Sequence, residues 1–190
     1  FETTNDEVLT ILEKNHSSKD LANAIEISQD NNIDIRPTWM PFSPWTKQKD
    51  LIDIIKLIEN YKLRETVDPI QLTIKLLIPK HSLIIQRSEI SEFINNYDKN
   101  SLSYMWDYRD KEVNELQISL FNYLLENPDL DDHSQYLGMV EIIEAMTRSN
   151  LILDPNYRFK NVPKLSETWF CCAEPSPIQL DRIKTNKALI

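Results

Sequence analysis

The chain has 190 residues, 41% of them hydrophobic, which is enough for a single domain with a sizeable core. A net charge of −9 disfavours nucleic acid and anionic membrane surfaces as partners. No apolar run reaches the length of a membrane span, the N-terminus lacks a signal peptide's basic flank and apolar stretch, and two adjacent cysteines are no secreted disulfide framework. A cytoplasmic location is therefore expected.

Thr3, Thr4 and Asn5 are capping residues, followed by Asp6 and Glu7 in what reads as a first helical turn. Val8, Ile11 and Leu12 then share a face, and Lys14-Asn15 ends this short helix, because asparagine tolerates the left-handed conformation. Ser17-x-x-Asp20 is a capping-box spacing that opens a second helix, with Leu21, Ala24, Ile25 and Ser28 on one side.

Ile33 to Met40 alternates and reads as a strand, with Pro37 favouring an edge or bulge. After the stiff loop Pro41–Trp45, Thr46 is expected to cap a helix in which Leu51, Ile54, Ile55 and Ile58 face the core. Lys49, Asp53, Lys56 and Glu59 are expected to face water. A second strand is read from about Ile70 to Ile78. Strand, helix and strand in succession form a βαβ unit, which implies a parallel pair. Arg36 and Thr38, then Gln71, Thr73 and Lys75, fall on the face opposite the aliphatic side. In a barrel that face lines the interior and suggests a ligand cavity; on an open edge the long cations would reach out to solvent instead.

Beyond Pro79, residues 88–97 read as a short helix and Ser101 to Arg109 as an aromatic linker. Residues 110–126 read as a helix carrying Val113, Leu116, Leu120 and Leu124, stopped by Asn127-Pro128. A last helix runs from about His133 to Ser149, with Leu137, Val140, Ile143 and Met146 inward. Residues 151–190 form a proline-rich tail. Two parallel strands cannot satisfy their own edges, so the chain reads as a C-terminal piece of a larger α/β barrel, with Phe1-Glu2 ending a truncated strand.

The single glycine, Gly138, leaves no Gly-rich phosphate loop. His16, His81 and His133 share no metal-ligand spacing and read as surface or packing histidines, and Asp129, Asp131 and Asp132 as a solvated turn. Chemistry points to Cys171 and Cys172, the only cysteines. Thiolates are strong nucleophiles and soft metal ligands, whereas the alternative is a pair of buried small apolar residues.

The tail Trp169-Phe170-Cys171-Cys172-Ala173-Glu174-Pro175 resembles the signature of the CUAEP/CCAEP-tail radical SAM proteins, in which the second cysteine position is selenocysteine in some members. The resemblance extends to Phe1–Leu9 with Lys14-Asn15-His16, similar to a segment of radical SAM domains paired with cobalamin-binding domains. It covers Arg36–Thr46, Asp68–Gln71 with Lys75–Pro79, and Tyr104-x-Trp106 as well.

It implies an α/β fold: the C-terminal portion of a partial TIM-type (radical SAM) barrel over residues 1–86, a mainly helical extension over 87–150 and the Cys-Cys tail over 151–190. It further implies S-adenosylmethionine, a [4Fe–4S] cluster whose ligands lie outside this chain, and cobalamin as an associated cofactor. The implied partners are the missing N-terminal half of the same protein and a small-molecule or peptide substrate of unknown identity. Glu2, Arg36, Thr38, Gln71 and Lys75 become the cofactor-binding candidates. Cys172 becomes the reactive tail residue and Cys171 its resolving partner or co-ligand. The chain departs from the family pattern. The C-x-x-x-C-x-x-C cluster motif is absent, so this chain alone should form no radical, and so is any cobalamin-binding region. Asn15 replaces a glycine, and Lys75 replaces an arginine, losing bidentate geometry toward a carboxylate. Two other classes remain open: a non-enzymatic α/β interaction module with a buried cysteine pair, and a dithiol redox module.

Overall fold

The computed structural model describes residues 1–155 and Tyr157; Cys171 and Cys172 lie outside the described residues. Five helices form where caps and apolar spacing call for them. In α1 (Asp6–Ile11) the Asn5 side chain accepts from the backbone N–H groups of Glu7 and Val8, and Asn15 takes the expected left-handed conformation with φ 53. Before α2 (Ser18–Asp30) the Ser17–Asp20 capping box is complete, although the buried face narrows to Leu21 and Ile25.

Helix α3 (Gln48–Asn60) buries Leu51, Ile54, Ile55 and Ile58 completely. Its N-cap position is Lys47, not Thr46, and Asp50 supplies the capping carboxylate to the Lys47 N–H at 2.8 Å. The Thr46 hydroxyl instead donates to the Pro41 carbonyl at 2.8 Å, closing the loop before the helix. Helix α4 (Lys111–Glu126) buries all four expected leucine and valine positions. Helix α5 (Asp132–Thr147) is capped by Asp131, whose carboxylate accepts from the Ser134 N–H at 2.9 Å. It buries Tyr136, Met139, Val140 and Ile143, because it is packed against α3, α4 and the turn at Pro69–Thr73 rather than along one stripe.

The strands depart from expectation. Of Ile33–Met40 only Trp39 pairs, in a parallel bridge with Glu2, and residues 31–34 are exposed. The segment Ile70–Ile78 begins as a 3₁₀ turn, Pro69–Thr73, and pairs only afterwards, where Lys75 forms a parallel bridge with Phe42. A side chain explains the difference. The Trp39 N–H, which a neighbouring strand would have bonded through a backbone carbonyl, donates to Gln71 Oε1 at 2.9 Å. With that rung satisfied by the Gln71 amide, the backbone around it is free to coil. The pairing is parallel in direction, as the strand–helix–strand reading expects, but it occurs at isolated residues, and the partner of Lys75 is Phe42, in the stretch read as a loop, rather than a residue of Ile33–Met40.

Residues 88–97 are not a helix: a 3₁₀ turn at Ser88–Ile90 leads into β1 (Ile94–Asp98), and the expected linker holds β2 (Ser103–Trp106). These strands pair antiparallel, Tyr97 opposite Tyr104 with ring centroids 5.1 Å apart. The hairpin is attached to the parallel segments by the Tyr104 N–H, which donates to the Ile78 carbonyl at 2.8 Å.

Two cores result. One gathers α3, α4 and α5 around Ile25, Trp39, Phe42 and Leu72. The other joins Val8, Met40, Trp45, Ile74, Leu76 and Ile78 to Phe93 and Trp106. Both draw on residues from either side of position 86. Among the described residues no helix is long and apolar enough to cross a membrane.

Candidate functional site

Glu2, Thr38 and Gln71 meet around the Trp39 segment. The Glu2 N–H donates to the Thr38 carbonyl at 2.9 Å, and the Met40 N–H donates to the Glu2 carbonyl at 2.8 Å. These bonds hold Glu2 at φ 57, a left-handed conformation unusual for a residue with a side chain. Its carboxylate receives the Lys14 ammonium at 2.7 Å, and His16 Nε2 lies 4.0 Å from the other oxygen. His16 is itself oriented by a 2.9 Å contact between Nδ1 and the Lys14 carbonyl. Sequence reasoning selected Glu2 but not Lys14 or His16. The left-handed Asn15 that turns the chain between them was the available signal.

Gln71 stands on the opposite edge of the same segment. Of the two ends of the Gln71 amide only the oxygen can accept, so the bond from the Trp39 N–H fixes its orientation and leaves Nε2 as a donor. Gln71 is 1% exposed, and its Nε2 has no hydrogen-bond partner among the described residues; the same holds for Trp39 Nε1, in a residue 2% exposed. Each such donor costs about 1–3 kcal/mol unless it is satisfied from elsewhere.

Arg36 and Lys75 do not join this group. Arg36 forms an ion pair with Asp68 at the surface. The Lys75 ammonium lies over two aromatic faces, 4.9 Å from the Trp106 ring centroid and 5.5 Å from that of Tyr108. Trp106 is locked by its indole N–H to the Leu76 carbonyl at 2.9 Å. The Tyr108 ring meets Trp106 and Phe42 edge-on, its hydroxyl has no partner among the described residues, and burial pushes the phenol well above its ordinary pKa. The expected single polar face is therefore divided. Thr38 and Gln71 flank Trp39, Lys75 sits on an aromatic seat, and Arg36 pairs with Asp68 at the surface.

A third cluster was not anticipated. Glu59, expected to face water, has its side chain only 8% exposed, and that of Arg64 is 3% exposed. Arg64 Nε donates to Glu59 Oε1 at 2.7 Å, and Nη2 donates to Oε2, a bidentate pair. The Tyr136 hydroxyl donates to the same Oε1 at 2.8 Å. Burial opposes the Arg64 charge, but the bond to Glu59 and its charge outweigh that, and the guanidinium is held above its ordinary pKa. Burial, with the Glu59 charge second, pushes the Tyr136 phenol up. Tyr157 closes the far side: its ring centroid is 4.2 Å from Arg64 Cζ and its hydroxyl bonds the Glu65 carboxylate. Nothing in the local sequence ties Glu59 and Arg64 to tyrosines so distant along the chain.

Among the described residues no group of three or more His, Cys, Asp or Glu side chains is arranged to hold a metal ion. Iron–sulfur clusters are held by thiolates, and the sequence has two cysteines, neither among the described residues. The described residues do not fit a cluster. Glu2 carries a carboxylate engaged by Lys14, and Gln71 Nε2 is a buried donor without a partner among the described residues. No protein-family model, no curated protein and no solved structure matches the chain.

Proposed function

We propose that the chain is the C-terminal part of a radical S-adenosylmethionine enzyme, with the cluster ligands supplied by a segment that it does not contain and the Cys171-Cys172 tail serving the reaction. The observation that carries this reading is the Trp169–Pro175 signature, together with its likeness at Phe1–Leu9 and Arg36–Thr46. Support comes from the two parallel bridges, Glu2 with Trp39 and Phe42 with Lys75, because consecutive parallel segments separated by helices are what a barrel wall requires. Further support comes from the paired edges of Trp39. Glu2 offers an acceptor at one and Gln71 a buried, unused donor at the other.

In this reading S-adenosylmethionine supplies the radical when bound to a cluster. Glu2 and Gln71 orient it, with Thr38 beside Glu2. Arg36 and Lys75 contribute fixed positive charge at the margins. Cys172 is the reactive thiol and Cys171 its partner. Cobalamin enters only through the likeness of the N-terminal segment to domains paired with it. The substrate is a small molecule or a peptide.

The test is Cys172→Ala in the protein carrying its upstream coding region, which should contain a C-x-x-x-C-x-x-C motif. Loss of turnover with an unchanged circular dichroism spectrum is the expected result. Unchanged product formation would remove the cysteine from the chemistry, and an upstream region without the motif would remove the cluster.

A further inference from the structure

After α5 the chain makes a last buried contact at Leu151 and then runs exposed, Ile152 being 86% accessible. It returns to the body of the protein at Tyr157. There the ring lies over the Arg64 guanidinium, and the hydroxyl bonds the Glu65 carboxylate and approaches the Lys62 carbonyl at 3.2 Å. A turn closed by the Tyr157 N–H on the Asp154 carbonyl, at 3.2 Å, presents the ring to this seat.

We propose that Tyr157 is the latch of a clasp over Arg64 and Glu65, holding the chain that leaves α5 and opening without unfolding the helical core. Two features separate the latch from the core. Arg64 is already neutralised by the bidentate Glu59 contact, and Glu59 is further bonded by Tyr136, so lifting Tyr157 leaves the Arg64–Glu59 pair intact. Among the described residues between Leu151 and Tyr157, Ile152, Asp154 and Pro155 are exposed and Leu153 packs partly against the core. A stretch so lightly buried opens as a unit of its own.

Hydrogen–deuterium exchange on the full chain tests the latch. In Tyr157→Ala, peptides covering residues 150–157 should exchange at least tenfold faster, while those from α3 and α5 change by less than twofold. Tyr157→Phe keeps the ring over Arg64 and loses only the hydroxyl bonds, and should fall between wild type and Tyr157→Ala. Unchanged exchange at 150–157 in Tyr157→Ala would show that the ring holds nothing. Equal acceleration in α3 and α5 would show that Tyr157 belongs to the core. Either result overturns the proposal.

Discussion

Replacing Glu59 by glutamine keeps the shape of the side chain and removes the charge that balances Arg64. Both side chains are nearly inaccessible, at 8% and 3%, so water cannot take over the lost interaction. Glutamine can still accept one N–H, but the guanidinium becomes a buried cation without a counter-ion. Breaking such a pair typically costs about 3–5 kcal/mol, against a total stability on the order of 5–15 kcal/mol. In urea, with a slope near 2 kcal/mol/M for a chain of this size, the unfolding midpoint should fall by roughly 2 M at unchanged slope. Removing both charges together, as Glu59→Leu with Arg64→Met, leaves only the Tyr136 hydroxyl unpaired and should cost about 1–3 kcal/mol. The double variant should therefore be more stable than Glu59→Gln. A loss below about 1 kcal/mol in Glu59→Gln, or a double variant less stable than the single one, would refute the view that this pair is a buried, mutually dependent unit.

Gln71→Leu leaves the Trp39 N–H without an acceptor and should lower stability by about 1–3 kcal/mol by urea unfolding, with faster exchange of that amide by NMR. A Cβ added at Gly138 would lie 2.0 Å from the Tyr123 hydroxyl and 2.4 Å from its Cζ, so Gly138→Ala should destabilise by about 1–3 kcal/mol in thermal unfolding. With Tyr123→Leu in place, the same change should become neutral or stabilising by up to about 1 kcal/mol, the helix propensity gained. Burial raises the pKa of Tyr108 and of Tyr136 in the folded state, so their contribution to stability is fully present below the unfolded value near pH 10. It is lost as the pH rises above that value, because the unfolded chain then releases protons that the folded one retains. Absorbance at 295 nm should show Tyr108 and Tyr136 ionising only as the protein unfolds.

The helices were legible because their signals are local. Ser17 and Asp20, Asn5 ahead of Asp6, and the Leu51–Ile58 spacing each act within two turns. The parallel segments were legible in their order and direction but not in their extent. Alternation from Ile70 to Ile78 says where side chains would point in a strand, yet cannot show that the Gln71 amide will take the place of a backbone rung. The hairpin was missed because its aromatic residues were read as a linker. The turn between the strands, with Asp98 accepting from the Asn100 and Ser101 N–H groups, was the overlooked signal. At the candidate site Glu2, Thr38 and Gln71 do gather around one segment. Arg36 and Lys75 were grouped with them by strand periodicity that the backbone does not keep. The Arg64 cluster lay beyond reach because its partners come from three separate elements and only tertiary folding joins them.

The most direct measurement of the central claim is release of 5′-deoxyadenosine from S-adenosylmethionine by the protein that includes the segment upstream of Phe1, reconstituted anaerobically with iron and sulfide and then reduced. The expected result is release that depends on reductant and falls at least tenfold in Glu2→Ala with the cluster absorbance retained. A reconstituted protein that takes up no iron, or that releases no 5′-deoxyadenosine, would contradict it.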